Sequence, residues 1–206
     1  MRTLIAGLML LQAAPLAAQG GGTLIVRRNG AEIGREQVTL EQGRRRGLSG
    51  TTLTVSSKYP GATPTTQLGV RLERASDGQL AVFQLDVEKP DGPVTFLAAG
   101  AGARIVLKTI AKGSDAAQEM PGGPDVVLLD DNAVGLFTAV ADLATAAGTR
   151  LSAFYPRTGR RAAFVAKKNG SQVSLSGGIS GTLTTDGSGR LTRVELSNGI
   201  TAVLSE

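Results

Sequence analysis

Apolar and polar residues alternate with a period of two through most of the chain beyond residue 22. Leu68, Val70 and Leu72 are separated by Gly69 and Arg71, Val173 and Leu175 by Ser174, and Ile179 and Leu183 flank Gly181 between Ser180 and Thr182. A period of two puts successive side chains on opposite faces, one buried and one wet, as in antiparallel sheets. The same pattern predicts strands at 23–28, 33–40, 48–56, 80–87, 94–98, 104–109, 149–155, 161–167, 191–196 and 201–204. Between them stand Asn29-Gly30, Asp77-Gly78, Asp91-Gly92, Asn169-Gly170, Gly177-Gly178 and Asn198-Gly199. These pairs accept the positive φ of tight hairpin turns, so neighbouring strands are expected to pair antiparallel as a meander. Ile33 falls out of phase with Val38 and Leu40, and Gly34 lies between them, which predicts a β-bulge and a bend in the sheet there.

One segment has a different period. Apolar residues at Leu136, Phe137, Val140, Leu143, Ala144 and Ala147 share one helical face, Asp130-Asp131-Asn132 precede them as a cap, and Gly148 follows as a left-handed stop. A helix of about four turns is therefore expected over about 132–147. Asp142 is its only charge, and a helix with so little polar surface is normally enclosed. The expected class is mainly β (α+β): a curved antiparallel meander sheet or half-barrel clasping one apolar helix.

The start of the chain adds a compartment. Met1-Arg2-Thr3, an apolar run from Leu4 to Leu11, and Ala13-Ala14-Pro15-Leu16-Ala17-Ala18 reproduce the three zones of a secretory signal. Gln12 and Pro15 cut the run well short of the roughly 20 apolar residues a membrane-spanning helix needs. Residues 1–18 are thus read as a signal peptide, with cleavage after Ala18 or nearby Gly20, residues 19–22 as a flexible leader, and 23–206 as a single domain. The expected product is exported, soluble in the periplasm or outside the cell.

Composition then excludes chemistry. The sequence contains no His and no Cys, which removes the commonest general base, the commonest metal ligand and every thiol mechanism. No Ser-x-x-Lys or Gly-x-Ser-x-Gly pattern compensates. Asp125, Asp130, Asp131 and Asp142 lack calcium-loop spacing, and two of them sit where a helix start favours negative charge. No catalytic residue, metal ligand or cofactor is assigned, and the chain is read as not an enzyme. Aromatic residues make up only 3% of the chain, which suits aliphatic ligands and disfavours the stacking platforms of nucleic-acid binders.

Two readings of the apolar helix remain. It fills the concave face of the sheet as core, or it leaves an aliphatic groove for an acyl chain. Groove candidates are Leu136, Phe137, Val140 and Leu143 on the helix and Phe83, Leu85 and Phe96 on the sheet, with the connection from Gly113 to Asp125 as a lid carrying Met120. Basic groups at Arg27-Arg28, at Arg44-Arg45-Arg46, and at Arg157, Arg160, Arg161, Lys167 and Lys168, with a net charge of +5, admit two readings as well. They attract an anionic membrane surface, or they are solvated hairpin tips.

The hairpin from Arg28 to Glu36, the Leu128-Leu129-Asp130-Asp131-Asn132 run before an apolar helix, and Phe154-Tyr155-Pro156 followed by hairpins resemble uncharacterised exported bacterial domains. Those domains are similar in turn to half-barrels of the lipoprotein-localisation-factor type. The resemblance implies a hydrophobic cavity that binds lipid or a lipidated partner, and it carries over no functional residue. The expected function is non-enzymatic binding of a hydrophobic ligand or lipidated partner in a groove between sheet and helix, with no nucleic-acid partner. The alternative is an envelope structural or interaction protein whose groove is filled by its own helix.

Overall fold

A computed structural model describes residues 18–60 and 66–205. Strand β1 (Ala18–Arg28) opens a meander that runs through β2 (Ala31–Arg45), β3 (Leu48–Tyr59), β4 (Thr66–Ala75), β5 (Leu80–Glu88), β6 (Val94–Ala101) and β7 (Arg104–Ala111) to β8 (Ser114–Pro121). After β9 (Val126–Leu128), a 3-10 turn (Val134–Leu136) and helix α1 (Phe137–Leu143), a second meander follows through β10 (Thr149–Tyr155), β11 (Arg160–Asn169), β12 (Gln172–Gly177), β13 (Gly181–Thr185), β14 (Leu191–Leu196) and β15 (Ile200–Ser205). β15 pairs with β1, fusing both meanders into one 15-stranded sheet.

Every neighbouring pair is antiparallel except β9 with β10. There the chain leaves the sheet for the helix and returns, and such a crossover brings a strand back parallel to its predecessor. The sheet's two edges, β8 and β9, are consecutive in sequence and separated only by residues 122–125. Four residues span at most about 14 Å, so the sheet must curve far enough to bring these edge ends together.

Alternation decides which face is inside. Leu24 and Val26 on β1, Leu53 and Val55 on β3, Leu68, Val70 and Leu72 on β4, and Phe83, Leu85 and Val87 on β5 share one core with Leu136, Phe137 and Val140 of the helical segment. The Ile33 bulge occurs as expected: Val26 pairs with Gly34 and Arg27 with Glu32, leaving Ile33 unmatched. Gly34 then supplies room, because a Cβ there would stand 2.6 Å from the Tyr59 ring.

Three sequence expectations are corrected. First, the helix is shorter than 132–147: α1 ends at Leu143, Ala144 is extended, and the Lys168 N–H bonds the Thr145 carbonyl at 2.9 Å. Pairing beside β11 wins over helical continuation, and Gly148 (φ 90°) serves the following turn instead of the helix end. Second, most of the Gly113–Asp125 connection is not a loop. Lys112-Gly113 make a two-residue hairpin, and β8 pairs with β7 from Ser114 opposite Ala111 to Pro121 opposite Arg104. Its side chains are exposed except Met120, so a backbone ladder holds it without the apolar alternation that marks a half-buried strand. Third, Gly20-Gly21-Gly22 is not a free leader. It belongs to β1, with Gly21 opposite Thr39 and Gly22 opposite Val38, and Leu204 packs where a Gly22 side chain would be. Of the signal-like segment, residues 1–17 lie outside the described residues.

Candidate functional site

The helical segment is enclosed: residues 133–141 are buried without interruption. Leu136 and Val140 are 0% exposed, as are Phe83 and Leu85. Phe96 is also buried, and Leu143 is half-buried against the core. Of the predicted groove residues, Phe137 lines a sizeable cleft. The flank of the helix is filled apart from a cavity of about 60 Å³ beside Thr138 and Ala139. Met120, the expected lid residue, stands on edge strand β8 in a separate cleft of about 330 Å³ with Val126 and Phe154, where the two sheet edges approach each other.

The helical segment is held by a group that the sequence expectation did not include. The 3-10 turn begins at Ala133 without a side-chain cap. Its first N–H groups are received from across the interior by Glu36 on β2: Val134 donates to Oε1 at 2.7 Å and Gly135 to Oε2 at 2.6 Å. The Tyr59 hydroxyl also donates to Oε1. Ser57, directly opposite Glu36 in the β2–β3 register, donates to the Asn132 carbonyl at 2.7 Å. Gly135 is small of necessity, since a Cβ would lie 2.6 Å from Val38 Cγ2. The expected cap residues do other work. Asp130 accepts from the Asn132 N–H at 2.8 Å and holds Arg157 through two bonds of 2.6 Å.

Glu36 is fully buried, and its pKa is raised: desolvation outweighs the hydrogen bonds from Tyr59, Gly135 and Val134 that favour the anion. Burial and the neighbouring Glu36 likewise push the Tyr59 hydroxyl up, so it stays protonated. Between the ordinary glutamate value of 4.5 and the raised one, the unfolded chain has lost its proton while the folded chain keeps it. The unfolded state then binds fewer protons, and stability falls as pH rises through that window. Urea titrations at several pH values from 4.5 upward should show wild type losing stability relative to Glu36→Gln as pH rises. A gap that does not change with pH contradicts the raised pKa.

A cleft of about 380 Å³ opens beside this anchored turn. Its apolar lining comes from Val134 and Phe137 of the helical segment, from Leu196 on β14 and Ile200 on β15, and from Ile179 in the β12–β13 turn, while the larger part of its exposed lining is polar. One wall consists of hairpin turns tied to each other. The Asn29 N–H bonds the Gly199 carbonyl at 2.9 Å, and the Ser197 N–H bonds the Ser180 carbonyl at 3.0 Å. The Ser180 and Ser197 hydroxyls meet at 2.6 Å. The opposite wall carries Asp130, Asp131, Tyr155 and Arg160. Arg160 bonds Asp131 at 2.5 Å and lies 3.6 Å over the Tyr155 ring, and burial raises the Tyr155 pKa against the opposing influence of Arg160. Arg28, at the end of β1, completes the rim.

A second buried charge, Arg74 on β4, donates to the carbonyls of Gly78 and Val126 and, at 3.4 Å, of Pro124. It links the β4–β5 turn to the short connection between the sheet edges. Burial lowers its pKa to about 10, so it remains charged at neutral pH. Glu36 and Arg74 had one usable signal in the sequence. Glu36 shares the parity of Val38 and Leu40, and Arg74 that of Leu68, Val70 and Leu72, so each is a charge on an apolar face.

No protein-family model matches the chain, and no curated protein matches its sequence. Among solved structures, a crystal structure of a DUF1089 family protein from Pseudomonas aeruginosa is similar with a TM-score of 0.49 and 15% identity, covering 91% of this chain and 96% of that one.

Proposed function

We propose that the protein is an exported, non-enzymatic binding protein for an amphipathic ligand, a lipid or a lipidated partner, with the sheet acting as a half-barrel around the helix. The supporting observation is the 380 Å³ cleft, which combines apolar side chains of Val134, Phe137, Leu196 and Ile200 with a larger polar share of its exposed lining. Such a lining matches a ligand with an apolar body and a polar end. Export rests on the signal-like first 18 residues. The absence of His and Cys and the pairing of the cleft's carboxylates, Asp130 with Arg157 and Asp131 with Arg160, support a reading of binding without chemistry. In this reading the ligand sits in the cleft at the start of the helical segment and not along the helix flank.

A second reading also has an observation in its favour. The helix flank is filled by its own side chains, with Leu136 and Val140 at 0% exposure, as in an envelope interaction protein without a ligand. A fluorescent fatty-acid probe separates the two. Wild type should bind it saturably, and Leu196→Trp, which fills the cleft from a half-buried position, should weaken binding about tenfold, the loss of one good apolar contact region, with its circular dichroism unchanged. A wild-type protein that carries no lipid from its native host and ignores the probe establishes the second reading instead.

A further inference from the structure

We infer that the ligand's polar end is anionic, a phosphate or carboxylate, and that Arg28 receives it; this rests on the amphiphile reading above. Arg28 shares the parity of Leu24 and Val26 on β1, the inward face, and stands where that face reaches the rim of the 380 Å³ cleft. The Asn29-Gly30 turn ends β1 immediately after it, with φ of 50° and 86°, and the bond from Asn29 to Gly199 fixes this turn against the β14–β15 turn. The arginine is thus carried on a braced backbone, and Ile200, its register partner on β15, lines the same cleft with Ile179 and Val134.

Charge accounting around the opening favours an anion. Asp130 is matched by Arg157 and Asp131 by Arg160. Glu36 lies buried behind the 3-10 turn, engaged by Val134, Gly135 and Tyr59. The Arg28 side chain is exposed and has no hydrogen bond or ion pair among the described residues, which leaves one unpaired positive charge at the cleft. A guanidinium presents several donors in a plane that suits carboxylate and phosphate oxygens. Arg160 is arranged to assist, since its stacking on Tyr155 orients it toward the same opening.

The test uses amphiphiles of one chain length below their micelle concentrations, measured by calorimetry at low salt: dodecyl phosphate, laurate, dodecyl maltoside and dodecyltrimethylammonium. The anionic pair should bind wild type about tenfold more tightly than the maltoside, the worth of one charge-assisted hydrogen bond. The order within that pair tells a phosphate head from a carboxylate. Arg28→Gln should remove the preference, bringing the anionic pair to the affinity of the maltoside. Arg27→Gln removes the same charge from the opposite face of β1 and should change nothing, which separates a local contact from attraction to the net charge. Equal binding of anionic and neutral amphiphiles, tightest binding of the cation, or equal effects of both arginine substitutions overturns the assignment and leaves the amphiphile reading standing. If no amphiphile binds, both fall.

Discussion

Replacing Glu36 by Ala should destabilise the fold by about 3–5 kcal/mol, the largest effect expected of any single substitution away from the hydrophobic side chains. Three donors lose their only acceptor: the Val134 and Gly135 N–H groups and the Tyr59 hydroxyl. A buried donor left without a partner costs about 1–3 kcal/mol, and the vacated space adds a cavity cost. Relief of the buried carboxyl's desolvation returns part of the sum, which keeps the estimate below the simple total. Water cannot readily take over, because Glu36 is 0% exposed and Tyr59 2%. Glu36→Gln retains a carbonyl acceptor and should cost about 1 kcal/mol, since one lost or mismatched hydrogen bond has that scale. The urea midpoint at constant slope reads the difference. If Glu36→Ala unfolds at the wild-type midpoint, the carboxyl is not the anchor of the helical segment. Because Val134 also lines the cleft, the alanine variant should weaken binding of the fatty-acid probe as well.

Arg74→Met should cost about 2 kcal/mol and loosen the place where the two sheet edges meet. Met keeps much of the aliphatic volume, so packing changes little. The carbonyls of Gly78, Pro124 and Val126 lose their shared donor, at roughly the cost of unmade buried hydrogen bonds. Removing a desolvated cation offsets some of this. The spatial signature is more specific than the energy. Amide exchange should accelerate in β8, β9 and the 122–125 connection, while the β1–β15 pairing at the centre of the sheet stays protected. Uniform acceleration across all strands would show that Arg74 contributes only to global stability.

The strands and hairpins were legible because the signals they use are local. Alternation such as Leu68, Val70, Leu72 marks a strand wherever it occurs, and a pair such as Asn29-Gly30 marks its turn. Even the bulge at Ile33 could be read, from a break in parity beside a glycine. β8 could not, since Ser-Asp-Ala-Ala-Gln-Glu carries no alternation and the strand exists only because β7 offers it a ladder. The helix was legible in place but not in extent. Its expected cap residues are drawn away by Arg157, and its last turn is lost to pairing beside β11. In the site, Phe137 was anticipated. Leu136, Val140, Phe83 and Leu85 were assigned to a groove, but periodicity gives only the buried face and cannot distinguish a wall of a cavity from a filled core.

The sequence alone determined a mainly β chain with one enclosed helix, a segment shaped like an export signal, and a residue inventory without His or Cys. These depend on near neighbours in the chain and on composition. Tertiary structure decided that β1 pairs with β15, that Glu36 reaches residues 134 and 135 from β2, and that Arg28 shares a cleft with Val134 and Ile179. Each of those joins residues about a hundred or more positions apart, and whether such groups meet depends on sheet curvature and register, which no local pattern encodes.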